Sequence, residues 1–87
     1  MRHLTQEIIS SLNLIPLPDE PYVYEWPDLS TEDRKAYLKE DRPGRLELLY
    51  RSKTHWASIT FPVELLDNVD LIKKISDRNW DNFKRNS

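Results

Sequence analysis

A β-hairpin pattern in residues 45–61 is the feature that most constrains the fold. Apolar and polar residues alternate on both sides of a short polar break, which is the period of two β-strands with one buried face. The break, residues 52–55, contains neither glycine nor an Asn-Gly pair, so we expect a four-residue connection rather than a two-residue turn. The apolar positions of the two strands are Leu46, Leu48, Tyr50, Ala57, Ile59 and Phe61. Other parts of the chain must cover this apolar face.

A helix is predicted before the hairpin, over residues 5–13. Thr5 is a good N-cap, and Glu7 places a negative charge in the first turn, where it complements the helix dipole. Leu4, Ile8, Ile9 and Leu12 fall on one helical face, and Pro16 and Pro18 follow the helix.

A second helical region is predicted after Pro62, a residue favoured in the first turn of a helix. Apolar residues recur there with helical spacing as far as Ile75. Asp67 and Asn68 are suited to cap a restart, so the pattern leaves open whether there is one helix or two. The spacing changes by one residue between Ile75 and Trp80, which predicts a kink or a new helix there.

The segment between residues 14 and 29 contains four of the six prolines and must be extended. Within it Tyr22, Tyr24 and Trp26 alternate with other residues, which predicts a short strand carrying three aromatic side chains on one face. Pro21 and Pro27 flank this strand and favour a position at a sheet edge. The pattern does not decide whether the aromatic face is core or interface, or which hairpin strand it pairs with.

Residues 30–40 predict a short, exposed helix. Ser30 and Asp33 approximate a capping box, and acidic residues follow Ser30 in the first turn. After this helix, Pro43 and Gly44 predict a turn in which Gly44 takes a positive φ angle.

The resulting element order is α-β-α-β-β-α in one compact domain that spans residues 1–87. We expect an α+β fold in which a small, mainly antiparallel sheet of two to three strands is packed by the N- and C-terminal helices. Since only 38% of the residues are apolar, the core should be thin and should depend on aromatic side chains.

Composition excludes several classes of function. The chain has no cysteine, so disulfides, thiolate metal sites and cysteine nucleophiles are absent, and a cytoplasmic location is expected. A single glycine rules out glycine-rich phosphate-binding loops. The N-terminal residues hold no long apolar run that would indicate a signal peptide or a membrane span. We expect no cofactor and no metal site, because residues 67–70 lack the remaining ligands of a calcium loop.

Charge is distributed unevenly along the chain, whose net charge is −2. Residues 1–41 contain nine acidic and four basic residues, whereas residues 42–87 contain six acidic and nine basic residues. Two interpretations follow: either the two halves attract each other in the fold, or the second half forms a basic face.

The predicted contact site is the connection of the hairpin, where Arg51, Lys53, His55 and Trp56 come together on an otherwise acidic chain. Aromatic and arginine residues are the types that most often anchor protein interfaces. Tyr22, Tyr24 and Trp26 form a second candidate surface. The sequence therefore predicts a non-enzymatic protein-binding module, such as an adaptor, an inhibitor or an accessory subunit, that acts by docking or occlusion.

Two alternatives use the same residues. The hairpin and the basic C-terminal helix are compatible with nucleic-acid binding, although a calculated pI of 5.6 is unlike that of a typical nucleic-acid-binding domain. A small enzyme would depend on His55 as its proton carrier, but no acidic residue stands beside it in sequence to orient it. A homodimer is compatible with so thin a core, and no feature indicates a membrane.

Overall fold

A computed structural model describes residues 3–85 as one antiparallel sheet with a helix at each end of the chain. The five strands lie side by side in chain order, so each strand pairs only with its sequence neighbours. The strands are β1 (Ile15–Pro16), β2 (Val23–Glu25), β3 (Lys35–Arg42), β4 (Arg45–Arg51) and β5 (Trp56–Pro62). Helix α1 spans Gln6–Ser11 and helix α2 spans Val69–Arg85, and short 3₁₀ helices occupy Pro27–Leu29 and Val63–Asp67. The α+β class is as predicted, whereas the number and order of the elements differ.

The predicted hairpin is present as β4 and β5, joined by the four residues Ser52 to His55. Its predicted apolar face is the one that is buried, with Leu46 0%, Leu48 1% and Phe61 3% exposed. The alternation of the sequence was sufficient here because one face of the sheet is packed and the other is not.

The helix predicted for residues 30–40 is wrong, because Lys35–Arg42 forms the central strand β3. Ala36 and Leu38 point into the core, each 0% exposed, while residues on either side of them face away. Ser30 is not the predicted N-cap. It ends the 3₁₀ helix Pro27–Leu29, and its hydroxyl donates to the Trp26 carbonyl at 3.0 Å and accepts from the Ala36 amide at 2.9 Å. A turn at Pro43 and Gly44, with Gly44 at φ 78°, leads from β3 directly into β4, as the turn prediction required.

The proline-rich segment contributes two short strands rather than one. Strand β2 pairs with β1 on one side and β3 on the other, so it is not an edge strand and pairs with neither hairpin strand. The edge position belongs to β1, which contains Pro16. This placement agrees with the physical rule, since proline lacks the amide proton that a central strand needs.

Helix α1 begins after Thr5, the predicted N-cap, but ends at Ser11, short of the predicted end at residue 13. The Thr5 hydroxyl accepts the amide of Ile8 at 3.3 Å. At the other end Asn13 adopts a φ angle of 56°, and the amide of Leu14 donates to the carbonyl of Ile9 at 3.0 Å. This is a Schellman motif, and it brings Ile9 and Leu14 together in the core.

Before the helix, the chain is held to β3 by Glu40. The Glu40 carboxylate accepts the Leu4 amide at 3.0 Å and hydrogen-bonds His3 Nδ1 at 2.8 Å. The hydrogen bond from His3 is the largest of the interactions that lower the pKa of Glu40.

Helix α2 is continuous from Val69 to Arg85, so the kink predicted near Ser76 is wrong. Its buried stripe runs through Ile72, Ser76 and Trp80, and the small polar Ser76 hid the continuity of this stripe in the sequence. The predicted restart after the preceding helical turn is present: Asn68 accepts the Leu71 amide through Oδ1 at 3.2 Å.

The two faces of the sheet differ completely. On one face the strands, both helices and the intervening turns contribute to a single core cluster. On the opposite face, which we call the outer face, no strand residue is buried. Its residues are Ile15, Val23, Glu25, Lys35, Tyr37, Lys39, Arg45, Glu47, Leu49, Arg51, Trp56, Ser58 and Thr60. The outer face is therefore the broad surface that this fold leaves open.

Candidate functional site

Strand register brings three residues of the outer face into one row. Lys35 lies opposite Arg51, and Arg51 lies opposite Trp56. The neighbouring row, Ala36, Tyr50 and Ala57, is buried, which fixes the first row on the outer face. Trp56 is 63% exposed, a large fraction for the largest apolar side chain. We call Lys35, Arg51, Lys53 and Trp56 the hairpin-end site.

The connection that carries Lys53 is closed by Ser52. The Ser52 amide donates to the His55 carbonyl at 2.8 Å, and the Ser52 hydroxyl accepts the amides of Thr54 at 3.3 Å and His55 at 3.0 Å. Because these bonds pin the loop to the end of the hairpin, Lys53 and Trp56 are presented from a defined backbone.

His55 does not join the hairpin-end site as the sequence predicted. Its side chain is partly buried and packs edge-to-face against Phe83 of α2, with ring centroids 5.7 Å apart. Along the same helix, Asn79 donates to the Ser58 carbonyl of β5 at 3.4 Å. His55 therefore helps to fasten the hairpin to α2.

The other side of the hairpin is attached to α2 by a partly buried polar cluster that the sequence did not reveal. Arg34 donates to Asp77 at 2.5 Å, and the Tyr50 hydroxyl donates to the same Asp77 oxygen at 3.2 Å. The Arg34 guanidinium lies 3.9 Å from the centre of the Tyr50 ring, and Trp80 meets that ring edge-to-face at 6.2 Å.

Burial and the adjacent Asp77 carboxylate raise the pKa of Tyr50 from 10.0 to about 12. Burial removes the water that would solvate the tyrosinate anion, and the Asp77 carboxylate repels its negative charge. Tyr50 is therefore a neutral hydrogen-bond donor at physiological pH. Lys35 follows Arg34 in the chain, and Arg51 follows Tyr50. The contacts of Arg34 and Tyr50 with α2 therefore anchor the backbone that carries Lys35 and Arg51.

Ion pairing distinguishes Arg51 and Lys53 from the two lysines in the strands of the outer face. Lys35 pairs with Glu25 at 3.6 Å, and Lys39 pairs with Glu47 at 3.5 Å. Arg51 and Lys53 have no ion-pair partner among the residues that the structure describes. Their charges remain available to an anionic group of a partner, such as a carboxylate.

The second predicted surface is not assembled in the structure. Trp26 is 1% exposed, Tyr24 packs against the core, and Tyr22 is 82% exposed. The three aromatic residues therefore do not share one face, because Tyr22 precedes β2 and has a positive φ angle of 70°. Tyr22 is thus exposed, Tyr24 is partly buried and Trp26 is buried.

Sequence reasoning missed the contribution of β3 to the site. Lys35 and Tyr37 were assigned to an exposed helix, yet both lie on the outer face. The available signal was the alternation of polar or aromatic residues with Ala36 and Leu38, followed by a Pro-Gly turn and another alternating segment.

The described residues carry no group of three or more His, Asp or Glu side chains placed to hold a metal ion. In the same part of the chain, no helix has the length and apolar character required to cross a membrane. No known protein family, curated protein or solved structure was found to match the chain. Its function must therefore be argued from its own surface.

Proposed function

We propose that this chain is a non-enzymatic interaction module that docks a protein partner on its hairpin-end site. The observation that carries the proposal is the 63% exposure of Trp56 on a sheet face where none of the described strand residues is buried. Tryptophan and arginine are among the residue types most enriched at the positions that dominate binding energy in protein interfaces. Arg51 and Lys53 would steer and orient an acidic region of the partner.

The proposed action is docking, or occlusion of a partner's own contact surface, because Arg51, Lys53 and Trp56 are exposed together at the end of the hairpin. The proposed location is the cytoplasm, where a chain without cysteine requires no disulfide to fold. A homodimer is a possible arrangement in which the partner is a second copy of the chain.

The proposal is tested by comparing Trp56→Ala with Leu71→Ala in affinity purification from the native host, with nuclease treatment. Leu71 is an exposed apolar residue of α2, 40% exposed, and lies outside the site. We expect Trp56→Ala to reduce recovery of the partner at least tenfold, corresponding to about 1.4 kcal/mol, and to leave the unfolding midpoint nearly unchanged.

Equal recovery with both variants would contradict the proposal. Unfolding of Trp56→Ala would also count against it, because it would show that Trp56 supports the core rather than a partner.

Nucleic-acid binding remains the second candidate, because an exposed Trp and cations share an open antiparallel sheet face, on which unpaired bases can stack. Glu25 and Glu47 on the same face oppose a phosphate backbone. Partner recovery that disappears with nuclease, together with affinity for single strands that falls steeply with salt, would favour this second function.

A further inference from the structure

A small pit lies on the outer face next to the hairpin-end site. It has a volume of about 110 Å³. Val23, Tyr37 and Leu49 provide its apolar lining, and Glu20, Lys39 and Glu47 its charged lining. With these apolar walls, the pit is suited to one small aliphatic side chain, such as that of Leu or Ile.

The pit and the unpaired cations are separated by a fixed spacing. Leu49 and Arg51 are two residues apart on the outer face of β4, or about 7 Å. Lys53 follows in the connection beyond the strand. An extended chain advances about 3.3–3.6 Å per residue, so a ligand that fills the pit reaches Arg51 with the residue two or three positions away.

The shape of the outer face favours an extended segment. Strands β3, β4 and β5 have 8, 7 and 7 residues, whereas β1 and β2 have 2 and 3. At about 3.4 Å per residue the three long strands form a strip about 25 Å long, and at about 4.8 Å spacing the strip is only three strands wide. A single extended segment of about seven residues matches the length of this strip.

The charges of the face favour a peptide over a nucleic acid. Glu25 and Glu47 stand among the lysines, and their ion pairs of 3.6 Å and 3.5 Å already use Lys35 and Lys39. A nucleic-acid strand carries a phosphate at every nucleotide and would meet these two carboxylates. Arg45, at the far end of β4, donates to the Thr60 hydroxyl at 3.2 Å. At the hairpin end, Arg51 and Lys53 match a peptide with one or two acidic residues.

We infer that the outer face binds an extended acidic segment of a partner protein, with an aliphatic side chain in the pit and a carboxylate on Arg51 two or three residues away. This inference rests on the proposed function and adds the chemistry of the partner. Trp56 lies opposite Arg51 on β5 and covers the bound segment from the side.

The test is selection of a displayed library of random dodecapeptides against the full chain. We expect enriched peptides to share an aliphatic residue followed, or preceded, at two or three positions by Asp or Glu. The selected peptides should bind Arg51→Glu at least tenfold more weakly, and Leu49→Thr should lose the preference for the aliphatic residue. Arg78→Glu is the matched control, because Arg78 is an exposed arginine of α2 that lies outside the outer face.

Several results would overturn the inference. They are the absence of enriched peptides, enrichment without acidic residues, equal loss with Arg78→Glu, or tighter binding of a single-stranded oligouridine than of the peptides. Affinity purification could still recover a protein partner whose binding depends on Trp56. The proposed function would then stand, and the partner would bind through a folded surface rather than through an extended acidic segment.

Discussion

Among the exposed aromatic residues, Tyr22 is the one held in a strained backbone conformation. Its φ angle of 70° lies in the left-handed region, where a side chain with a Cβ atom is disfavoured by roughly 1–2 kcal/mol. Its ring is 82% exposed and gains little from packing. The strain comes from the tight return of the chain between Leu17 and Val23, where the Leu17 amide donates to the Val23 carbonyl at 3.1 Å.

The strain at Tyr22 predicts an inverted preference for glycine. Tyr22→Gly should have a free energy of unfolding about 1 kcal/mol higher than Tyr22→Ala, because glycine adopts positive φ angles without steric cost. Lys39 provides the control, since it lies in β3 with a negative φ angle, and there the Ala variant should be the more stable. Urea unfolding of the four variants measures both differences. An Ala variant that is the more stable at both positions would show that Tyr22 is not strained.

At the level of elements, predictions succeeded where local signals and tertiary packing agree. Thr5 and the alternation of residues 45–61 specified α1 and the hairpin because capping and burial favour the same structure there. The predictions failed at β3, because Ser30 and the acidic residues after it resemble the start of a helix. The position between β2 and β4 overrides that preference, since it buries Ala36 and Leu38 and pairs the backbone on both sides.

The attachment of α2 to β4 was beyond local sequence signals for a different reason. Arg34 and Asp77 are 43 residues apart, and no pattern within either segment indicates that they meet. The same holds for the site: Arg51 and Trp56 were found from their hairpin, whereas Lys35 became visible only through the pairing of β3 with β4.

Tyr50→Phe tests this attachment through its pH dependence. At pH 8 the loss of the hydrogen bond to Asp77 should lower the free energy of unfolding by about 1.5–3 kcal/mol. The raised pKa of Tyr50, about 12, means that the folded state resists ionisation, so this contribution is complete below pH 10.0 and is lost as the pH rises towards 12. The difference between wild type and Tyr50→Phe should therefore shrink from pH 8 to pH 11.5 in urea unfolding.

Tyr37→Phe is the control for this experiment, because Tyr37 lies on the outer face and not in the core. Its stability should follow that of the wild type at both pH values. A constant difference between wild type and Tyr50→Phe would contradict the assigned environment of Tyr50.

For the molecule as a whole, the charge asymmetry of the chain is not neutralised by direct contacts. Two ion pairs join the halves of the described chain across the fold, Arg34–Asp77 and Lys39–Glu47, and in both the cation belongs to the acidic half. The pair of Asp41 with Arg42 joins neighbours in sequence. The two ion pairs across the fold attract the two halves to each other, but with the opposite polarity to the net charges of the halves. The unpaired cations of the second half instead include Arg51 and Lys53, on which the proposed function depends.

One core cluster that draws on both helices, the strands and the turns predicts that the molecule unfolds as a single unit. Leu38 lies in the middle strand and is 0% exposed, so Leu38→Ala should lower the free energy of unfolding by about 2–5 kcal/mol. Leu71→Ala, in an exposed position of α2, should cost less than about 1 kcal/mol.

In a Trp56→Phe background, fluorescence reports Trp26 near β2 and Trp80 in α2, while circular dichroism reports the helices and strands together. The two urea transitions should coincide in every variant, because neither helix nor sheet retains a core when the other is lost. Separate transitions would show that α2 unfolds independently and that the cluster of Arg34, Tyr50 and Asp77 does not couple it to the sheet.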